Sequence, residues 1–235
     1  MRNKILILIT VVFGILTFNS QIIADGHKIY GPFPITLKGY SGDKTNSVKY
    51  TGQMARHVLH DSLKALVKTG DVAKMMAYYN GEDNLKIIAP KSKDDFKIKQ
   101  TMVAEVGSGN LSGKTYKGAI AGWGNLTGKE VLEHMITKAG EVDGGFDPNT
   151  GFDYTQLISK FAMGAVFYNQ AVNNYLGKKM EIGQKPNSEP YKEGSYYTGK
   201  EHSWDEAFGY WGSAAHALTL SAEQSYNVAK RKDMA

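Results

Sequence analysis

Asp153-Tyr154-Thr155-Gln156-Leu157-Ile158-Ser159-Lys160-Phe161-Ala162-Met163-Gly164-Ala165-Val166-Phe167-Tyr168-Asn169-Gln170-Ala171-Val172-Asn173-Asn174-Tyr175-Leu176-Gly177 decides the class of this chain. Tyr154, Leu157, Ile158, Phe161, Ala165, Tyr168, Val172, Tyr175 and Leu176 recur at helical spacing over roughly six turns. Asp153 with Gln156 three residues on is a capping-box spacing, and Gly177 followed by Lys178 and Lys179 is a stop signal with charges that suit a helix C-terminus. No charge occurs between Lys160 and Lys178, and Met163 and Phe167 make the back face apolar as well. This is the pattern of the central helix of a bundle, with Phe161, Tyr168 and Val172 buried. Asn169, Gln170, Asn173 and Asn174 argue against a membrane span.

Outward from that helix the chain keeps the same period. Ala55, Val58, Leu59, Leu63 and Leu66 share one side of a helix that starts at Tyr50 and ends near Gly70, with His57, His60, Asp61, Lys64 and Lys68 on the other. A short helix over 72–79 precedes the Asn80-Gly81 turn, and another runs from Lys129 to Lys138. Residues 81–128 read as long loops with a short helix, carrying the charge run Lys91-Ser92-Lys93-Asp94-Asp95 and seven glycines from Gly107 to Gly128. Tyr197 to Gly212 supplies a helix with Thr198 as N-cap and Glu201 reciprocating, and a last helix runs from about Ser213 into Arg231. Trp204, Phe208 and Trp211 read as core. No alternating strand run of useful length appears, so the class is all-α.

The N-terminus has the three-part layout of a secretory signal: Arg2 and Lys4, the apolar run Ile5 to Phe18, and a small residue, Ala24, at the expected cut. The expected organisation is a signal over 1–24, an extended lead-in over 25–49 and a helical domain over 50–235. The whole chain has 235 residues, 42% hydrophobic and 22% charged, which excludes disorder and collagen-like repeats. Zero cysteine excludes zinc fingers, iron–sulfur clusters and thiol catalysis. Cleavage after Ala24 removes Arg2 and Lys4 and no acid, leaving 26 Lys+Arg against 23 Asp+Glu. A balance of +3 is no nucleic-acid footprint, and no transmembrane span is expected in the mature chain.

Four segments carry possible chemistry. Gly107-Ser108-Gly109-Asn110-Leu111-Ser112-Gly113-Lys114-Thr115 resembles a phosphate loop but fails on register, since position 108 is Ser where the motif needs Gly. His57, His60 and Asp61 stand at i, i+3 and i+4 and could share a metal, although Lys64 and Lys68 on the same face fit a solvated surface better. The stretch from Asp143 to Asp153 gathers oxygen ligands and glycines, yet it lacks the closing bidentate Glu of a calcium loop. His202, Asp205 and Glu206 also fall at i, i+3 and i+4, the geometry that points imidazole and carboxylate at one metal. The alternative is that His202 packs on Tyr197 and the segment is structural.

Glu201-His202-Ser203-Trp204-Asp205-Glu206-Ala207-Phe208-Gly209-Tyr210-Trp211-Gly212 strongly resembles the signature of an exported bacterial family, domain of unknown function 4856. The stretch Phe152 to Leu176 and the opening Tyr50-Thr51-Gly52-Gln53 with Arg56 and Leu63 are similar to that family's other motifs. The family is related to the imelysin-like proteins, exported helical bundles linked to uptake of iron and other metals, whose hallmark is a GxHxxE helix. His202 and Asp205 match the HxxE spacing with Asp in place of Glu.

The resemblance implies an all-α, imelysin-like helical bundle with long Gly-rich loops, in the periplasm or on the cell surface. It implies binding of iron, a divalent metal or a small metal-bearing ligand. His202 would supply the imidazole, Asp205 and Glu206 the carboxylates, and the amide-rich helix from Asn169 to Asn174 would shape the pocket. Family members tend to be longer, which reads as a truncated member. The rival functions are a metallopeptidase-like hydrolase and a structural envelope protein. A zinc hydrolase needs about three protein ligands and an open position, and no second motif supplies them.

Overall fold

The computed structural model describes residues 33–88, 100–212 and 221–229. The signal segment, the charge run at 91–95 and the start of the last helix lie outside the described residues. Within them the chain is predominantly helical. Helix α1, Thr51–Leu66, continues through a 3₁₀ turn, Val67–Thr69, and closes on Gly70 at φ 68°. Helix α2, Val72–Asn80, begins where Asp71 accepts from the Lys74 amide over 2.9 Å. A four-residue helix α3, Val103–Val106, and a hairpin of β1, Ala119–Ile120, with β2, Leu126–Thr127, occupy the following loops. Helix α4, Gly128–Ala139, starts one residue earlier than its apolar pattern suggests, because Thr127 and Glu130 form a reciprocal capping box.

A second short hairpin pairs β3, Phe146–Asp147, with β4, Phe152–Asp153. Asp153 then caps α5, Tyr154–Ala162, accepting from the Thr155 amide over 2.9 Å. Helix α6, Gly199–Trp211, and helix α7, Ala222–Ala229, complete the order. Residues 33–49 form no helix or strand and lie against α6, as Thr36 shows by donating to Glu201 over 2.6 Å. The core is built from Leu59 and Leu63 of α1, Met75 and Tyr79 of α2, Leu132 and Ile136 of α4, and Ile158 of α5, all fully buried. Each such side chain contributes roughly 1.5–3 kcal/mol by leaving water.

The central helix departs from its sequence pattern in one respect. After α5 the chain continues without a break as a π-helix, Met163–Gly177, in which the Lys178 amide reaches the Asn173 carbonyl five residues back. Bonds of the i→i+5 kind unwind the helix and shift the phase of its faces. The buried positions Ala162, Val166, Ala171 and Tyr175 are accordingly spaced by four or five residues. Tyr168, placed inside by α-helical spacing, is instead 59% exposed, and Phe161 and Val172 are half-buried. Phe167 and Gln170 take the inner places, while Met163 and Leu176 face outward.

Helix α6 packs along this π-helix and against α1. Gly209 makes the second contact possible: a Cβ there would come within 2.7 Å of Tyr50 Cβ and 2.9 Å of Gln53 Cβ. Trp204 and Trp211, expected in the core, are 50% and 72% exposed on the other side of α6. They border an apolar groove of about 280 Å³ with Leu176 and Val172.

Candidate functional site

The first turn of α6 is fixed by local chemistry. The Glu201 amide donates to Thr198 Oγ1 over 3.2 Å and the Thr198 amide to the Glu201 carboxylate over 2.7 Å. His202, Asp205 and Glu206 then meet on one side, as residues three and four apart must on a helix. The His202 ring is held by Tyr191 and Tyr197, with centroids 5.0 and 4.6 Å away. Its Nδ1 lies 3.2 Å from Asp205 Oδ1 and its Nε2 lies 3.6 Å from Glu206 Oε2.

Each carboxylate is also held from elsewhere in the chain. The Lys49 amide donates to Asp205 Oδ2, and Gln53 Nε2 donates to Glu206 Oε1 over 2.8 Å. Burial first, and the charge of Glu206 next, raise the Tyr175 hydroxyl above its ordinary range. Asp205 is 3% exposed, and burial pushes its carboxyl up to about 6 against the pull of His202 and the Lys49 amide. With Trp204 and Met180 it lines a cavity of about 300 Å³ between residues 33–48 and α6.

Metal-binding histidines commonly carry a carboxylate on the ring nitrogen that faces away from the metal, which fixes tautomer and orientation. Asp205 has that relation to His202. Two ligands bound at 2.0–2.1 Å to one tetrahedral metal stand about 3.4 Å apart, close to the separation between His202 Nε2 and Glu206 Oε2. Among the described residues no group of three or more His, Asp or Glu is arranged to enclose a metal ion. What the motif offers is a pair of donors, Nε2 and Oε2, with Asp205 behind the imidazole.

The other candidate segments are committed to structural contacts. His57 and His60 do not lie on a solvated face: His57 stacks on Phe167 at 4.3 Å with Nε2 2.9 Å from the Gly209 carbonyl. His60 is buried with Nε2 3.2 Å from the Ser159 carbonyl. Burial holds the His57 imidazole below its ordinary value despite the Gly209 carbonyl. Asp147 and Asp153 serve their own turns, Asp147 accepting from the Asn149 amide over 2.9 Å and from Thr150 Oγ1 over 2.8 Å. Around Gly107 to Thr115 there is no strand before the loop and only the 3₁₀ turn Ser112–Lys114 within it, so it is not a phosphate loop of the nucleotide-binding kind.

Sequence spacing missed a second group of charges next to Glu206. Lys114 of that loop and Lys179 beyond the π-helix are both half-buried and both feel Glu206. Arg56 of α1 lies over the Tyr210 ring at 5.7 Å. They come from three separate segments, so no local pattern signals them.

The family model described as domain of unknown function (DUF4856) matches residues 39–232. The chain belongs to the DUF4856 family. That DUF4856 span contains α1, the central helix and the whole of α6, and with them every residue of both groups around Glu206. No curated protein and no solved structure matches the chain.

Proposed function

We propose that this DUF4856 chain is an exported, imelysin-like binding protein of the cell envelope that holds a metal ion, or a small ligand carrying one, through His202 and Glu206. The observation that carries the reading is the pairing of His202 with a carboxylate at each ring nitrogen: Asp205 at Nδ1, 3.2 Å away, and Glu206 at Nε2, 3.6 Å away. Asp205 orients the ring and keeps the Nδ1 proton, so Nε2 is left as the lone-pair donor. Gln53 holds the Glu206 carboxylate in place, which lowers the cost of ordering it on binding. Two protein donors leave most coordination positions to the ligand or to water. That suits capture and release of a metal-bearing ligand better than hydrolysis, which needs about three protein ligands to fix an activated water.

Export is supported by Arg2, Lys4 and the Ile5 to Phe18 run, and a helical bundle by the packing of α1, α4 and α6 against the central helix that α5 and the π-helix form. Among the described residues no helix is long and apolar enough to cross a membrane. The experiment is elemental analysis of the protein purified from its native compartment, alongside the Glu206→Gln variant. Near-stoichiometric iron, zinc or another metal in the wild type, lost in the variant, supports the reading. Equal background metal in both supports the structural alternative, in which His202 only ties α6 to Tyr191 and Tyr197.

A further inference from the structure

We infer that Arg56, Lys114 and Lys179, together with the hydroxyl of Tyr210, form a binding site for an oxyanion: the phosphate or carboxylate group of a small ligand. The three cations come from α1, from the turn at Ser112–Lys114 and from the turn after the π-helix. Lys114 is acted on by Arg56 and Glu206, and Lys179 by Glu206 and Lys114. Both lysines thus draw on one carboxylate, and Gln53 already engages it. Among the described residues none of the three forms an ion pair with a carboxylate. Half-buried like charges repel and lose hydration, which a fold does not retain without compensation. Burial is the main cause that holds both lysines below their ordinary range, with Arg56 adding repulsion at Lys114 and Lys114 adding it at Lys179 against the pull of Glu206.

A second observation is independent of charge. Tyr210 is 1% exposed and its hydroxyl has no protein hydrogen-bond partner. That hydroxyl sits among the same groups, within the fields of Arg56 and Glu206, and burial pushes it up to about 12. It therefore stays protonated and can donate. A buried hydroxyl without a partner is unfavourable, and a bound oxyanion supplies the acceptor.

The cations are held in position before any ligand arrives. Arg56 Nε donates to the Asn110 carbonyl over 3.0 Å, and Gly109 lies so close that a Cβ there would come within 2.8 Å of Arg56 Cζ. Lys179 Nζ rests 3.5 Å from the Tyr175 ring centroid, and that ring lies 5.5 Å from the ring of Tyr210. The Lys114 carbonyl accepts from Gln170 Nε2 over 2.8 Å, and Gln170 in turn holds Asn174 over 2.8 Å. Arg56 keeps the planar edge of its guanidinium for two-point contact with a phosphate or carboxylate, while the lysines act as point charges.

The site shares Glu206 with the metal reading but does not depend on it, so the test is run in EDTA. Inorganic phosphate, sulfate and citrate are titrated into the whole chain, with melting temperature and heat of binding followed against sodium chloride at matched ionic strength. At least one oxyanion should raise the melting temperature saturably where chloride does not, and the order of the three separates a phosphate ligand from a carboxylate one. The double change Lys114→Gln and Lys179→Gln should weaken binding at least tenfold, and the anion-free protein should melt no lower than the wild type because two repelling charges are gone. Lys179→Gln alone, the milder change, should weaken binding severalfold, and Lys117→Gln, at an exposed neighbour, should leave it unaltered. His202→Ala should keep oxyanion binding, which distinguishes failure of this site from failure of the metal site. No oxyanion exceeding chloride in the wild type, or wild-type affinity in either lysine variant, would overturn the proposal.

Discussion

The side-chain amide of Gln53 on α1 donates to Glu206 Oε1 on α6 over 2.8 Å, joining positions 153 residues apart. Gln53 is 3% exposed, so this bond is made away from water, and it positions the carboxylate that faces both His202 and the basic group. Gln53→Leu should cost about 1–3 kcal/mol, because a half-buried carboxylate loses a charge-assisted hydrogen bond. It should also lower metal affinity by about 10–100-fold, the usual effect of removing a group that orients a ligand. Urea denaturation and metal titration on the same variant measure both. Unchanged metal affinity would show that Gln53 does not serve the site.

The same two helices meet at Gly209. An added methyl would lie inside the contact distance of Tyr50 and Gln53, so Gly209→Ala should destabilise the protein by about 1–3 kcal/mol through overpacking. A melting temperature equal to that of the wild type would contradict the close approach of α1 and α6.

His57 makes stability depend on pH. Burial against Phe167 depresses its folded pKa below the ordinary 6.5, so the unfolded chain binds more protons as pH falls through that value. Its contribution is therefore complete above pH 6.5 and is lost as pH drops below it. His57→Phe, which keeps a ring against Phe167 but removes the titration, should be less stable than wild type at pH 7.5 and should close that gap toward pH 5. A gap that stays constant or widens on acidification would refute the assignment.

Export is tested at the N-terminus. The mature protein should begin near Asp25, and mass spectrometry of protein taken from the envelope reads this directly. Residues 1–20 found intact on the folded protein would contradict the reading.

What the sequence disclosed was local. The Thr198–Glu201 box, the Asp153 cap, and the meeting of His202 with Asp205 and Glu206 all lie within a few residues, and each stands where the spacing placed it. Tyr168 and Val172 escaped because α-helical periodicity assumes i→i+4 bonding, whereas the chain from Met163 to Gly177 bonds i→i+5, which turns Tyr168 outward and leaves Val172 half-buried. His57 and His60 escaped for another reason: the carbonyls that receive them, Gly209 and Ser159, are 152 and 99 residues away. Polar residues on a helix read as solvated when their partners are that remote. Arg56, Lys114 and Lys179 are the extreme case, three cations on separate elements joined only by tertiary packing.

The central claim rests on His202. Iron, zinc and calcium are titrated separately into the wild type and into His202→Ala, with bound metal and melting temperature followed together. The account predicts that the wild type binds at least one of them near one equivalent, and that the variant loses this binding while its melting temperature drops by no more than an ordinary point mutation causes, about 1 kcal/mol in stability. Binding of none of the three by the wild type, or equal binding by His202→Ala, would contradict it.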